Sequence, residues 1–278
     1  MTILVTGSAG FIGSEVCHQL LNSGWQVLGI DNRNDAYDPR LKDWRLERLT
    51  RRDGFTFRKI DLLNEESLAK LFATEEFEAV INLAARAGVP QSMADPKAYF
   101  ATNVTGTLNL LELMREHGIK QLVQASSSSV YGNGEIPFIE DAACNAPISP
   151  YAASKKAAEE LTHAYSHLWG INTAALRFFT VYGPAGRPDM SIFRFIRWIF
   201  ESEPLHLHGD GSQRRDFTHV SDVARGVISS LECRGHEVIN LGSDRPVSIL
   251  SVIRIVEKMI GINANIVREG RPATDMDI

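Results

Sequence analysis

Cysteine is scarce. The 278 residues hold three, Cys17, Cys144 and Cys233, far apart and in no C-x-x-C spacing. That excludes a disulfide framework and a cysteine zinc site, and it fits a reducing compartment, the cytoplasm. An excess of positive charge is missing too: 29 Lys and Arg stand against 34 Asp and Glu, a net charge of −5. This argues against a nucleic-acid or membrane partner, yet an anionic small substrate needs only a local arginine cluster. No long apolar run is present. The most apolar helix candidate, SIFRFIRWIF from Ser191, is cut by Arg194 and Arg197 and is too short to span a bilayer. The N-terminus enters an apolar strand pattern, Ile3-Leu4-Val5, without a basic n-region, so no signal peptide is expected. Internal repeats and low-complexity linkers are also lacking.

What is there reads as one or two globular domains with a sizeable core. Short β-branched runs at about 2–6, 26–30, 55–60, 78–83, 120–125 and 172–178 alternate with helical patterns near 11–23, 64–73, 97–117 and 150–169. Alternating strand and helix predicts an α/β fold, a parallel sheet covered on both faces. Gly24, Gly118 and Gly170 each follow a helical pattern, where a left-handed residue is wanted. Asp95-Pro96 and Ser149-Pro150 read as N-cap followed by first helical residue. After residue 180 the alternation breaks. Helices near 190–201, 221–232 and 248–260 and short strands near 205–207, 237–240 and 265–268 read as a smaller second lobe. The chain stops at Ile278 soon after a strand and without a closing helix, which reads as a missing C-terminal piece.

The chemistry starts at VTGSAGFIG. Gly7, Gly10 and Gly13 close the first strand and open the first helix in G-x-x-G-x-x-G spacing. A tight turn, close backbone approach to a pyrophosphate and free N–H groups at a helix start make this a dinucleotide loop. Asp31 ends the second strand, where an acid binds the adenosine ribose and repels a 2′-phosphate. That favours NAD over NADP, with Arg33 close by as a counterweight and a plain turn role for Asp31 as the alternative. In SPYAASKK, Tyr151 and Lys155 share one helix face near its start. A tyrosine is a poor base at neutral pH, and a neighbouring ammonium and a helix N-terminus favour its phenolate.

Together with the serines of SSSSVYG (residues 126–132), these features resemble the extended short-chain dehydrogenase/reductases, the NAD-dependent epimerase/dehydratase family, over nearly the whole chain. The resemblance implies a Rossmann-type doubly wound sheet: residues 1–180 as the NAD-binding domain, with a returning segment near 215–242, and residues 181–278 mainly as a nucleotide-sugar-binding lobe. It implies NAD held by Gly7, Gly10, Phe11, Ile12, Gly13, Asp31, Asn32, Asp61, Leu62, Leu83, Ala84, Ala85, Asn103, Tyr151, Lys155 and Phe178, and no metal. It implies Ser127, Tyr151 and Lys155 as the catalytic triad. Ser127, Ser128, Ser129, Thr180, Arg187, Arg215, Arg271 and Asp275 would meet the substrate, with Arg215 on its phosphates. It also implies a homodimer through the helices near 97–117 and 150–169.

Within that family, DNRNDAYDPRLKDWRLERL from Asp31, SSSSVYG and LRFFTVYGPAGRPDM from Leu176 are similar to the UDP-glucuronate 4-epimerases. The expected reaction is therefore conversion of UDP-glucuronate to UDP-galacturonate through a 4-keto sugar. Related 4,6-dehydratases carry Asp-Glu before V-Y-G, and the uronate decarboxylases carry Glu where Ser129 stands. Where the similar enzymes usually carry AGVR, this chain has Pro90, with Arg86 three residues after Leu83. If 126–129 is extended, Ser127 and Ser129 share one face and Ser126 and Ser128 the other. Thr180, Ser128 or Ser129, and Arg187 are the candidates for restraining the sugar carboxylate. Arg187 also reads as a salt bridge between lobes, and Arg214 as a solvated neighbour of Arg215. His163 and His167, and His206 and His208, read as packing rather than metal ligands. Two alternatives remain, a UDP-glucose 4-epimerase and a non-catalytic NAD-binding regulator. The intact triad argues against the second.

Overall fold

The computed structural model describes residues 2–270; Arg271 and Asp275 lie outside them. Seven parallel strands form the main sheet. They are β1 (Thr2–Thr6), β2 (Gln26–Ile30), β3 (Phe55–Arg58), β4 (Phe77–Asn82), β5 (Gln121–Ser127), β6 (Asn172–Phe178) and β11 (His236–Leu241), in the order β11-β6-β5-β4-β1-β2-β3. Side-chain alternation builds a core on each face. Ile3, Val5, Val27, Ala79, Ile81 and Val123 pack on one side, Leu4, Leu28, Val80 and Leu122 on the other. Helix α1 (Phe11–Asn22) joins the first core with α9 (Val220–Ser229). Helices α3 (Glu65–Thr74), α6 (Gly106–Glu116) and α7 (Pro150–Trp169) cover the second. Gly24, Gly118 and Gly170 take the expected positive φ. Asp95 and Ser149 accept the capping bonds from Ala98 N and Ala152 N.

Two stretches differ from the sequence reading. The first is a helix that reading lacked, α2 (Pro39–Thr50), capped by Asp38, whose buried face is Lys42, Arg45, Leu46 and Leu49. The second is the single helix expected near 97–117. After a short α4 (Val89–Ala94), the chain runs through α5 (Pro96–Phe100), a π-helical turn at Ala101–Thr105 and α6. The π turn rotates the following face. Leu111 is fully buried, while Phe100, on the same expected stripe, is 42% exposed.

A separate core forms from α8 (Ser191–Phe200), β8 (Pro204–His208), α10 (Ile249–Ile260) and β13 (Asn265–Glu269). Strand β13 runs parallel to β8. Short ribbons complete this part: β7 (Thr180–Tyr182) with β10 (Phe217–His219), and β9 (Arg214–Arg215) with β12 (Val247–Ser248).

Behind the sheet's C-terminal edge sits a buried ion pair. Arg177 on β6 donates from Nε and Nη2 to the two carboxylate oxygens of Glu159 on α7, each at 3.0 Å. Ser126 Oγ donates to the same carboxylate at 2.5 Å. The guanidinium also lies 4.7 Å over the Tyr131 ring and donates to Glu140 O. Burial disfavours the Glu159 charge, but the hydrogen bonds from Arg177 and Ser126 outweigh it and hold the carboxyl below the ordinary glutamate value.

Removing one partner strands the other charge. Arg177→Ala should cost about 3–5 kcal/mol in urea unfolding, and adding Glu159→Ala should cost less than the sum of the single changes. A lowered folded-state pKa means that the Glu159 contribution is present above the unfolded value of 4.5 and is lost as the pH falls through the folded one. Glu159→Gln should therefore flatten the acid limb of the stability profile; an unchanged limb would refute this account.

Candidate active site

One cavity runs along the C-terminal ends of β1, β2, β4, β5 and β6. Its first wall is the glycine loop. Gly7 has φ +69°, and a Cβ there would stand 2.7 Å from Ala84 N. At Gly13 a Cβ would stand 2.1 Å from Gly7 O. Only bare backbone fits at these two positions. Gly10 begins α1 without any side-chain cap, so first-turn N–H groups stay available to an anion. Gly10, Phe11, Ile12, Leu83, Ala84, Ala85 and Phe178 line the same space.

The side of the cavity at the ends of β2 and β3 is polar. Asp31 accepts from Ala9 N at 3.2 Å and from Arg33 N at 2.6 Å, so it shapes the loop as well as facing the cavity. Burial pushes its carboxyl above the ordinary aspartate value, with Lys42 and the two backbone donors pulling the other way. Lys42 donates to Asn34 O and Asn34 Oδ1, both at 2.8 Å. Asn32 Nδ2 donates to Asp61 Oδ2 at 2.8 Å, and Asp61 and Leu62 line the wall. A bare-backbone turn, an uncapped helix start and a carboxylate at the second strand end fit a dinucleotide such as NAD.

Ser127, Tyr151 and Lys155 line the same cavity. Ser127 closes β5, and Tyr151 and Lys155 lie on the first turns of α7. Lys155 is 3% exposed and donates to Ala125 O at 2.9 Å. Burial lowers its pKa to about 8, with Glu159 opposing. Tyr151 stands beside Ser127. Burial raises the phenol's pKa, opposed by the Ser127 hydroxyl and the Arg187 charge, and Lys155 is not among the groups that lower it. The ammonium is turned to the Ala125 carbonyl instead.

The serine turn also departs from expectation. Strand β5 ends at Ser127, and Ser128–Tyr131 forms a 3₁₀ turn in which Ser127 Oγ accepts from Ser129 N at 3.2 Å. Period-two alternation therefore stops at Ser127. Ser126 points back to Glu159, as alternation requires, while Ser128 and Ser129 do not line the cavity.

Of the other expected contacts, Arg187 lines the cavity. It forms a two-bond ion pair with Asp189, Nη2 to Oδ2 at 2.5 Å and Nε to Oδ1 at 3.0 Å, and donates to Ala87 O. Thr180 lies in an adjoining cavity that Arg187 shares. Asn103 stands behind the wall: it accepts from Arg86 N at 2.8 Å and donates to Arg86 O and Ser154 Oγ. Arg215 pairs with Val247 in β9–β12 and lines neither cavity.

Several lining residues escaped the sequence reading: Tyr37, Lys42, Tyr99 and Asp189; Arg86, noted there beside Pro90, lines the cavity too. Arg45, 2% exposed, donates to Ala9 O, to Tyr37 Oη and to Ala185 O, and so ties the glycine loop to the loop that carries Arg187. Asp38-Pro39 was the available signal for this helix, a cap followed by a first-turn proline.

Residues 3–242 match the profile of the NAD dependent epimerase/dehydratase family. The chain is 54% identical over 262 residues to a UDP-glucuronate 4-epimerase of Thermodesulfobacterium geofontis (strain OPF15), covering 94% of this chain and 81% of that one. It superposes with TM-score 0.93 on the crystal structure of the Bacillus cereus UDP-glucuronic acid 4-epimerase in complex with UDP-glucuronic acid and NAD, at 38% identity, over 100% of this chain and 88% of the other. A UDP-glucose 4-epimerase from Thermus thermophilus, in complex with NAD, superposes with TM-score 0.89 at 30% identity, over 100% and 89%. Loop, triad positions and whole-chain likeness agree: the chain belongs to the NAD dependent epimerase/dehydratase family.

Proposed function

We propose that this chain is an NAD-dependent nucleotide-sugar 4-epimerase acting on UDP-glucuronate and UDP-galacturonate. The observation that carries this reading is that Ser127, Tyr151 and Lys155 line one cavity together with the glycine loop. The likeness to UDP-glucuronate 4-epimerases supports the sugar.

NAD, when bound, supplies a hydride acceptor and then a donor at the sugar's C4. Gly7, Gly10 and Gly13 and the α1 start hold its pyrophosphate, Asp31 its adenosine ribose, and Lys155 its other ribose. Ser127 holds the sugar O4 beside Tyr151, and Tyr151 takes the O4 proton as the C4–H bond breaks. The ketone then presents its opposite face, and Tyr151 returns the proton to O4. Burial raises the Tyr151 phenol's pKa, and the Ser127 hydroxyl and the Arg187 charge act against it. No net oxidation occurs.

One observation favours a neutral sugar, the UDP-glucose reading: Asp189 already meets the Arg187 charge. A two-substrate assay separates the two. Incubated with UDP-glucuronate and no added cofactor, the purified protein should yield UDP-galacturonate, with neither CO₂ release nor accumulating NADH. Turnover of UDP-glucose alone would overturn the uronate reading. Tyr151→Phe should lower epimerisation by about 10²–10⁴-fold while NAD stays bound; persistent turnover would refute the mechanism.

We also infer a cytoplasmic homodimer built on α5–α6 and α7, with residues beyond 180 forming mainly the sugar-nucleotide lobe. No helix among the described residues is long and apolar enough to cross a membrane. The helices proposed for the interface expose Phe100, Leu168 (62%) and Trp169. Leu168→Glu should shift the particle from dimer to monomer mass in light scattering; a wild-type monomer at micromolar concentration would refute the interface.

A further inference from the structure

Strand β5 leaves the sheet one partner at a time. Its pairing with β4 ends at Gln124, opposite Asn82, whereas its pairing with β6 continues to Ser127, opposite Phe178. Residues 125–127 therefore have a neighbouring strand on one side only. A 3₁₀ turn starts at Ser128. Ser127, whose hydroxyl lines the cavity, is thus the last residue of a half-supported strand end.

Helix α7 takes over where β4 stops. Lys155 Nζ donates to Ala125 O at 2.9 Å, and Ser126 Oγ donates to Glu159 Oε1 at 2.5 Å. Tyr151, Lys155 and Glu159 follow one another at four-residue spacing, so one helix face carries the tyrosine and grips two consecutive strand residues. Ser126 and Glu159 are each 2% exposed. Arg177 closes the arrangement from β6, opposite Ser126 in register. Well-packed apolar residues of similar volume often stabilise a fold as much as a buried ion pair does. What they cannot supply is a directed bond from strand to helix, one residue before Ser127.

We propose that Ser126 is a positioning residue of the reaction: its bond to Glu159 sets where the Ser127 hydroxyl stands relative to the Tyr151 phenol. Ser127 Oγ accepts from Ser129 N, and its own proton stays available to the cavity. Drift of the strand end moves that hydroxyl while Tyr151 stays on its helix. Misplacement by about 1 Å costs on the order of 10²-fold in rate. This inference rests on the epimerase reading above and not on the choice of sugar, because the C4 chemistry is common to both.

Ser126→Ala deletes the bond yet leaves the carboxylate paired, since Arg177 Nε also donates to Glu159 Oε1. Thr162→Val is the control. It deletes another buried hydroxyl, one whose bond to Glu159 O at 2.7 Å stays within α7. Steady-state kinetics of wild type and both variants would be measured on UDP-glucuronate and UDP-glucose, with NAD content measured after purification. Ser126→Ala should lower kcat about 10–100-fold on the sugar that wild type turns over, with KM and NAD content held. Thr162→Val should keep kcat. An unchanged kcat in Ser126→Ala, a loss carried by KM or by NAD content, or equal kcat losses in the two variants would each overturn the proposal. A wild-type protein that turns over neither sugar would instead overturn the epimerase reading on which it stands.

Discussion

The paired charges of Arg177 and Glu159 decide which way β5 presents its serines. Glu159 takes Ser126 Oγ at the back of the sheet, so the next residue, Ser127, turns to the cavity. The register agrees, since Ser126 lies opposite Arg177 and Ser127 opposite Phe178 in the β5–β6 pairing. Four consecutive hydroxyls are thereby divided. One belongs to a buried polar network, one faces the cavity, and two form the turn that ends the strand. Lys155 sits one turn before Glu159 on the same helix, and the Glu159 charge opposes the burial that would otherwise neutralise the ammonium further.

Much of this was legible in the sequence because its causes are local. Gly7 and Gly13 are forced by contacts under 3 Å to any added Cβ. Tyr151 and Lys155 share a face because a helix repeats every 3.6 residues. Gly24, Gly118 and Gly170 mark helix ends because the left-handed region suits them. Alternation predicted the six strands up to residue 178, while β11 comes from the stretch where alternation breaks and joins the sheet beside β6.

What was not legible depends on distant partners. Helix α2 hides because two of its buried residues are Lys42 and Arg45, which break the apolar stripe that marks a surface helix. Their acceptors, Asn34, Ala9 and Ala185, come from three separate loops. The π turn at Ala101–Thr105 is likewise a tertiary effect, for it places Asn103 where it can clamp Arg86 and Ser154 together. Ser129 was misplaced because a 3₁₀ turn starts where extension was assumed. For Tyr151, sequence spacing gave the distance to Lys155 along the helix but not the direction of the ammonium.

Arg45 gives the two ligand loops a common hinge pin. Its guanidinium spans Ala9 O in the glycine loop and Ala185 O in the loop bearing Arg187, and Ala185 holds a left-handed φ of 58°. The two loops are therefore fixed to one buried guanidinium, so a single substitution at Arg45 would release both walls of the cavity at once. The cavity thus has its two facing loops braced from behind by a side chain that itself never lines it.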